Sequence, residues 1–403
     1  MKSLDRWLLA AVAGHLFLFI ERSEGISAYE LIFSVIFYPG LVAWFLIKWS
    51  RNDQIIKGKS ELFILLFLLF GFISIIIGNI YESDIFKGIR EWMLFFPYLL
   101  YFPLRDYIVD VRRLRTMLWI VLVMASLIAL MSIVRYYTAL GFAQYLFEIW
   151  GKRQVLEEPL YMSSVIIGIS LLAAREKPRW LLFAIIVINI ISLAFTFSRG
   201  YWVATVTGIG LILLLSDWKV KRRIVLWGSM ILCSIIVVIL LVFPNLFNAI
   251  SEGILLRLTS IGYGDISFQS RLIESRTVVN LFFQNPIIGY GFGSLYSYYD
   301  LISQHHAVTW YIHNGYFFLL FKVGILGFAL YFLFYLNRTY AIFSRIVSMT
   351  NGNIKSLICG LSVIPLVMLL LSFSSPQFYD RASVLVLTIV WGIAAGLKQQ
   401  EAL

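Results

Sequence analysis

Residues 61–80 read ELFILLFLLFGFISIIIGNI. After one leading carboxylate, the stretch holds almost nothing that water would solvate. As a helix it rises about 30 Å, the thickness of a bilayer's hydrocarbon core. The reading repeats along the chain. Of 403 residues, 60% are hydrophobic, 17% are aromatic and only 14% are charged, with a mean hydropathy of +0.85. A soluble protein of this size could not hide so much apolar surface, so the composition is that of a polytopic membrane protein. No polar stretch is long enough to build a core of its own. One transmembrane domain over 1–403 is expected, carrying a large loop at 244–310.

Apolar runs of roughly a span's length give twelve candidates: 7–20, 29–48, 61–80, 89–104, 116–139, 159–174, 180–197, 201–216, 224–243, 311–336, 356–374 and 382–397. The fold class is therefore all-α, polytopic, with about twelve transmembrane helices. Lys2 and Arg6 precede the first run, but no small-residue cleavage site follows, so that run reads as a retained span. The segments RNDQIIKGK, RDYIVDVRRLR, REKPR and DWKVKRR are visibly basic and alternate with poorer ones, which puts both termini on the cytoplasmic side. The net charge of +11 is explained by these loops, and no nucleic-acid partner is expected. Cys233 and Cys359 lie inside apolar runs and predict neither disulfide nor metal site.

On this topology the residues least like membrane filling converge on the outer face. In TFSRGYW, residues 196–202, the turn between spans is almost absent, so Arg199 sits at the membrane boundary. An arginine there either snorkels to lipid headgroups or serves a site. In the long loop, apolar positions from Ser270 follow a helical period until Pro286, with Ser270 as N-cap and Arg271 as first helical residue. A cation at that end opposes the helix dipole unless an anion binds there, and a helix N-terminus with an arginine is a phosphate cradle. Arg276, about 140° around the helix, faces solvent. Residues 312–328, IHNGYFFLLFKVGILGF, open a membrane helix with a histidine and an asparagine. At about 100° per residue, Gly324 falls about 20° from His313 and Gly327 about 40° to the other side. One continuous face would then carry two glycines for close helix packing and present His313 outward, as a general base or as a helix-end histidine bonded to a carbonyl. Lys322 falls on the opposite side, deep in the helix, with no visible partner. Lys87 and Arg90, at the outer start of the 89–104 span, could add to a cationic lining.

Together these residues resemble a family. His313-Asn314, nine residues, Gly324, two residues, Gly327 fits the pattern H-[NSQ]-x9-G-x-x-[GTY] of the O-antigen ligases, whose wider group includes O-antigen polymerases and related oligosaccharyltransferases. The likeness extends to SRG at 198–200 and to the segment from Arg271 to Gly293, which ends in P-x-x-G-x-G-x-G. It implies a GT-C-like membrane fold in the bacterial inner membrane with a periplasmic site. It implies transfer of a glycan from undecaprenyl pyrophosphate to the lipid A–core, without metal or other cofactor. Arg199, Arg271 and His313 match the family's essential residues. Asn314, Lys87 and Arg90 are candidate pyrophosphate contacts, and Gly324 and Gly327 are structural. The expected partners are the lipid-linked donor, the lipid A–core acceptor and membrane lipids.

Four other readings are weighed. A polymerase would use the same donor and a second lipid-linked glycan as acceptor, whereas a protein-glycosylating ligase is disfavoured because the chain ends soon after the last span. A metal-dependent transferase would use the E-x-D spacing of Glu82 and Asp84, a spacing common in solvated loops. A transporter would place its polar residues near the midplane, often in two symmetric halves, and neither is visible. His15 reads as packed within the first span, and His305-His306 lacks the spacing of a metal site.

Overall fold

The computed structural model describes residues 2–18, 28–81, 83–140, 157–242, 266–348 and 352–397. In chain order it builds α1 (Lys2–Phe17), α2 (Ala28–Ser50), α3 (Lys59–Ile80), α4 (Ile85–Met93), a 3₁₀ turn (Phe96–Leu100), α5 (Tyr101–Tyr107) and α6 (Val111–Leu140). There follow α7 (Glu158–Ala173), α8 (Arg179–Phe195), α9 (Arg199–Leu215), α10 (Trp218–Val242) and α11 (Ile266–Gln284). A hairpin of β1 (Tyr296–Asp300) and β2 (His305–Thr309) then precedes α12 (Gly315–Ser348), α13 (Gly352–Leu371) and α14 (Arg381–Leu397). Residues 244–265 of the expected long loop, and Glu82, lie outside the described residues.

Five of the described helices are long and apolar enough to cross a membrane: segments 32–50, 59–80, 111–139, 315–346 and 354–371. Four shorter apolar helices accompany them: α7, α8, α9 and α14. α3 shows why the surround must be lipid. One face buries Ile64, Phe67, Gly71, Ser74, Ile75 and Gly78, while the other exposes Leu62, Leu66, Leu69, Phe72, Ile76 and Ile80. A helix apolar on both faces suits a bundle edge that meets hydrocarbon.

The predicted span over 89–104 is not one helix. Asp84 caps α4 by accepting from Phe86 N at 2.8 Å. The chain turns after Met93, and Pro97 opens the 3₁₀ turn because it has no N–H to continue an α-helix. α5 then brings Arg105 to Glu61, a buried ion pair at 2.6 Å. Arg338 of α12 joins it through Tyr101 Oη at 2.6 Å, and Lys48 and Lys57 reach Asp106 nearby. This basic network marks the Lys59 end of α3, opposite the Gly78 end, which packs against Gly291 and Phe292.

The expected single face of His313, Gly324 and Gly327 is also overturned. α12 begins at Gly315, so His313 lies outside the helix. Gly324 has φ 58° and ψ −167°, a conformation essentially reserved for glycine, and it breaks α12 in two. Into the break goes the segment Pro286–Gly291. Tyr290 N donates to Phe321 O at 2.8 Å, Gly291 N to Lys322 O at 2.9 Å, and Ile325 N to Pro286 O at 2.8 Å. The main-chain groups freed by the break are thus paired with the inserted segment. A Cβ on Gly324 would lie 2.3 Å from Ile287 O, and one on Gly291 2.1 Å from Gly78 N, so backbone lies against backbone. Gly327 sits against Val323 and Phe70 side chains, one turn into the lower helix.

Lys322 has its partner here. Its Nζ lies 2.8 Å from Glu91 Oε2 of α4 and donates to Ser294 O at 2.7 Å, and Glu91 also accepts from Gly293 N at 3.1 Å. The pair clamps the glycine-rich loop between α3, α4 and α12.

Candidate functional site

α11 begins earlier than expected. Ser270 lies in its second turn, not at its cap, because Ser270 Oγ donates to Asp300 Oδ1 at 2.5 Å instead of bonding its own backbone. Arg271 is therefore not the first helical residue, and the dipole argument for a phosphate cradle at that position falls. The buried stripe is Ser270, Glu274 and Val278, at i, i+4 and i+8, whereas Leu272 and Phe283 face outward. Arg276 is exposed, as expected.

Glu274 is the residue the sequence reading missed. Its carboxylate is 2% exposed and receives three groups. His313 Nδ1 stands 3.0 Å from Oε2, and His313 N donates to the same oxygen at 3.2 Å. Tyr296 Oη lies 2.8 Å from Oε1 and also 2.8 Å from the Tyr311 carbonyl, so its one proton serves one of them at a time. Burial pushes the Tyr296 phenol far above its usual range, and the Glu274 charge adds to the push, so it stays a donor. One signal was available: Glu274 is the sole carboxylate in the 266–284 helix.

A carboxylate is acceptor-only, so its contact places the imidazole proton on Nδ1 and leaves Nε2 as the basic nitrogen. The His313 side chain keeps 34% exposure, and Tyr311 crosses its ring edge-on at 4.9 Å. Ile312, just before it, is pinned at both main-chain groups by Tyr379 Oη. Asn314 is committed within the fold. Its Oδ1 accepts from Tyr316 N and Phe317 N, capping α12, and its Nδ2 donates to Phe373 O at 3.1 Å.

The connector from α13 to α14 gathers the remaining parts. Gly315 N donates to Ser372 O at 2.8 Å, and Arg271 Nη1 to Ser374 O at 3.0 Å. A Cβ on Gly200 would meet Leu371 at 3.3 Å and Ser374 Oγ at 3.7 Å, and Tyr201 Oη lies 3.3 Å from Ser375 Oγ. Arg199, the first residue of α9, is partly exposed beside them, and Ser198 Oγ before it donates to Glu158 Oε1 at 3.0 Å. The segments carrying Arg199, Arg271 and His313 therefore meet on one connector. The charges around Tyr311 record the same meeting. Its phenol is pushed up chiefly by burial, then by Asp380, with Arg271 opposing and Glu274 and Glu158 adding.

Lys87 and Arg90 are not brought there. Both are exposed on α4, whose buried face, Gly88 and Glu91, packs on Phe292 and Gly293. Neither makes a hydrogen bond or ion pair among the described residues. Asp84 is used as a helix cap. His305 lies against Ser303 O and His306 against the Tyr299 ring, while His15 packs between Phe33 and Phe37.

A search of curated proteins finds no match to the chain. The profile of a family described as O-antigen ligase matches residues 182–332, a region that holds Arg199, Arg271, Glu274, Tyr296 and His313. Over this stretch the chain is similar to the O-antigen ligase family.

Proposed function

We propose that the chain is an O-antigen ligase, moving a glycan from undecaprenyl pyrophosphate to the lipid A–core on the periplasmic face of the bacterial inner membrane, with both termini cytoplasmic. The observation that carries the reading is the His313–Glu274 pair, half-open to solvent, on the connector that also holds Arg271 and the start of α9. The basic Arg105–Lys48–Arg338 network at the far end of the bundle supports the orientation.

The chemistry follows from the atoms. His313 Nε2 takes the proton from the acceptor sugar hydroxyl as that oxygen attacks the anomeric carbon. Glu274 holds the ring in the required tautomer and stabilises the imidazolium as it forms. As the glycosidic C–O bond breaks, charge grows on the pyrophosphate, and Arg199 and Arg271 stabilise it most in the transition state. Direct displacement inverts the anomeric centre. Positive charge from two arginines takes the place of a divalent cation, so activity should survive a chelator. Lys87 and Arg90, exposed on α4, are read as weaker contributors along the approach of the anionic donor.

The test is transfer from purified lipid-linked donor to lipid A–core by wild type and by His313→Ala, Arg199→Ala and Arg271→Ala. Each variant is expected to lose at least about 10²-fold in rate. Three folded and fully active variants would refute the site. Wild-type enzyme that extended only donor-linked glycan would be a polymerase.

A further inference from the structure

The membrane face away from His313 carries a second cluster of charge, one that the reaction does not use. α12 runs from Gly315, beside His313, to Arg338, about 35 Å later by helical rise, which is more than the depth of a hydrocarbon core. There Arg338 donates to Tyr101 Oη at 2.6 Å and to Ser60 Oγ at the start of α3. Asp106 is shared by Lys48 at 3.0 Å, Lys57 at 3.1 Å and Arg105 at 3.0 Å. Glu61 takes a second bond from Arg105, and Asp53 a second from Lys48. Four cations thus share three carboxylates. Arg51 and Lys59, at the two ends of the loop between α2 and α3, are exposed and make no ion pair among the described residues. The shortage of acceptors also shows inside the knot. Arg105 Nη2 and Arg338 Nε are buried and have no hydrogen-bond partner among the described residues. α3 begins beside them at Gly58 with no side-chain cap, so the positive end of its dipole adds to the same field.

We infer that this cluster binds the headgroup of an anionic phospholipid, in the leaflet facing away from His313. The inference does not depend on the reaction proposed above. Negative charge is what the cluster lacks, with Arg51 and Lys59 added to four cations that already outnumber their carboxylates. A phosphate supplies that charge and several acceptor oxygens at once. The surface directly below makes the ligand a lipid and not a soluble anion. Lys59, Leu62 and Leu66 share one face of α3 by helical spacing, and both leucines are exposed. A phosphate held at Lys59 therefore lays its acyl chains along an apolar face that already needs hydrocarbon against it. The level fits as well. Trp49 and Tyr340, 73% and 72% exposed, stand at the same ends of α2 and α12, as aromatic side chains do where a membrane meets water.

The experiment uses the full chain in detergent, titrated with phosphatidylglycerol or phosphatidylcholine, with bound lipid counted by native mass spectrometry. One phosphatidylglycerol should be held at least about tenfold more tightly than phosphatidylcholine. Arg51→Gln/Lys59→Gln removes two exposed charges that hold no partner in the fold, and should weaken that binding about tenfold. Lys219→Gln/Arg222→Gln makes the same change of charge in exposed residues at the start of α10, on the same side of the membrane, and should weaken it less than about twofold. Equal losses in the two double variants would mean that the attraction is spread over the whole basic face, and would overturn the site. Equal binding of phosphatidylcholine would remove the role of charge and overturn it too. Displacement of the lipid by millimolar inorganic phosphate would make the ligand a soluble anion and overturn the lipid assignment. Phosphatidylglycerol with a diazirine beside its headgroup should label residues 51–62 and 337–340, and label confined to other segments would place the lipid elsewhere and refute the inference.

Discussion

Lys322 stands nine positions after His313, and each faces a buried carboxylate from another helix. Glu274 and Glu91 are 2% and 5% exposed, and each also accepts a main-chain N–H, from His313 and Gly293 respectively. The cations differ. His313 keeps a third of its side chain exposed and one ring nitrogen uncommitted to Glu274. Lys322 is fully buried, bonded to Glu91 and to Ser294 O, with the Phe318 and Phe321 rings within 6 Å. Similar pairs therefore do different work. One is oriented and leaves a ring nitrogen open. The other is closed and holds a loop that inserts into a broken helix.

The sharpest way to break this comparison is to neutralise each carboxylate. Glu91→Gln leaves Lys322 buried without its counter-charge and should cost about 3–5 kcal/mol of stability. Yield and melting temperature in detergent should fall, while the molecules that remain folded transfer glycan at the wild-type rate. Adding Lys322→Met should recover only part of the loss, because the Ser294 carbonyl still lacks its donor. A fully stable Glu91→Gln protein would show that the clamp is dispensable. Next in size is Glu274→Gln. An amide can present its N–H₂ to Nδ1 and favour the wrong tautomer, so transfer should fall about 10²-fold, equivalent to about 2.7 kcal/mol of barrier. The melting temperature should change much less than in Glu91→Gln. If the two variants lost stability alike, Glu274 would be a second structural clamp.

How legible this contrast was in the sequence depends on whether a feature is local. The apolar runs announced the membrane, and His313, Arg199 and Arg271 stood out by their chemical oddity against that background. What failed were inferences that assume a continuous helix. Turning a wheel from His313 to Gly324 presumes that no residue between them leaves helical dihedrals, yet Gly324 itself does. A glycine that packs and a glycine that breaks look identical in a sequence. Pro97 is visible, but the apolar run across it does not show that the segment, which passes from Glu91 beside Gly293 to Arg105 beside Glu61, is two helices joined by a 3₁₀ turn and not one continuous helix. The partners were the least legible part. Glu91 meets Lys322 across 231 positions and Glu274 meets His313 across 39, and neither spacing is a local pattern. Ser270 misled because it is a good capping residue whose better partner, Asp300, lies 30 positions away.

That same Asp300 supplies the mildest test of the contrast. It closes the hairpin by accepting from Ile302 N, Ser303 N and Ser303 Oγ, and it ties the hairpin to α11 through Ser270, one turn from Glu274. The Ser270 bond first, then the Ser303 bond, pulls its carboxyl down to about 2 from the ordinary aspartate range. A folded-state value below the unfolded one means that the ionised form favours folding. The contribution is present above roughly pH 4 and is lost as pH falls toward 2. Because the group is largely open to solvent, its charge is screened and the net effect is small, about 0.5–1 kcal/mol. Asp300→Asn should therefore melt slightly below wild type at pH 7 and transfer glycan normally, and the melting gap should narrow as pH drops through that window. A gap that stayed constant to pH 3 would mean that the carboxylate's charge plays no part in holding the hairpin. A large loss of transfer at pH 7 would mean that the hairpin anchor, and not the Glu274 contact alone, fixes where His313 stands.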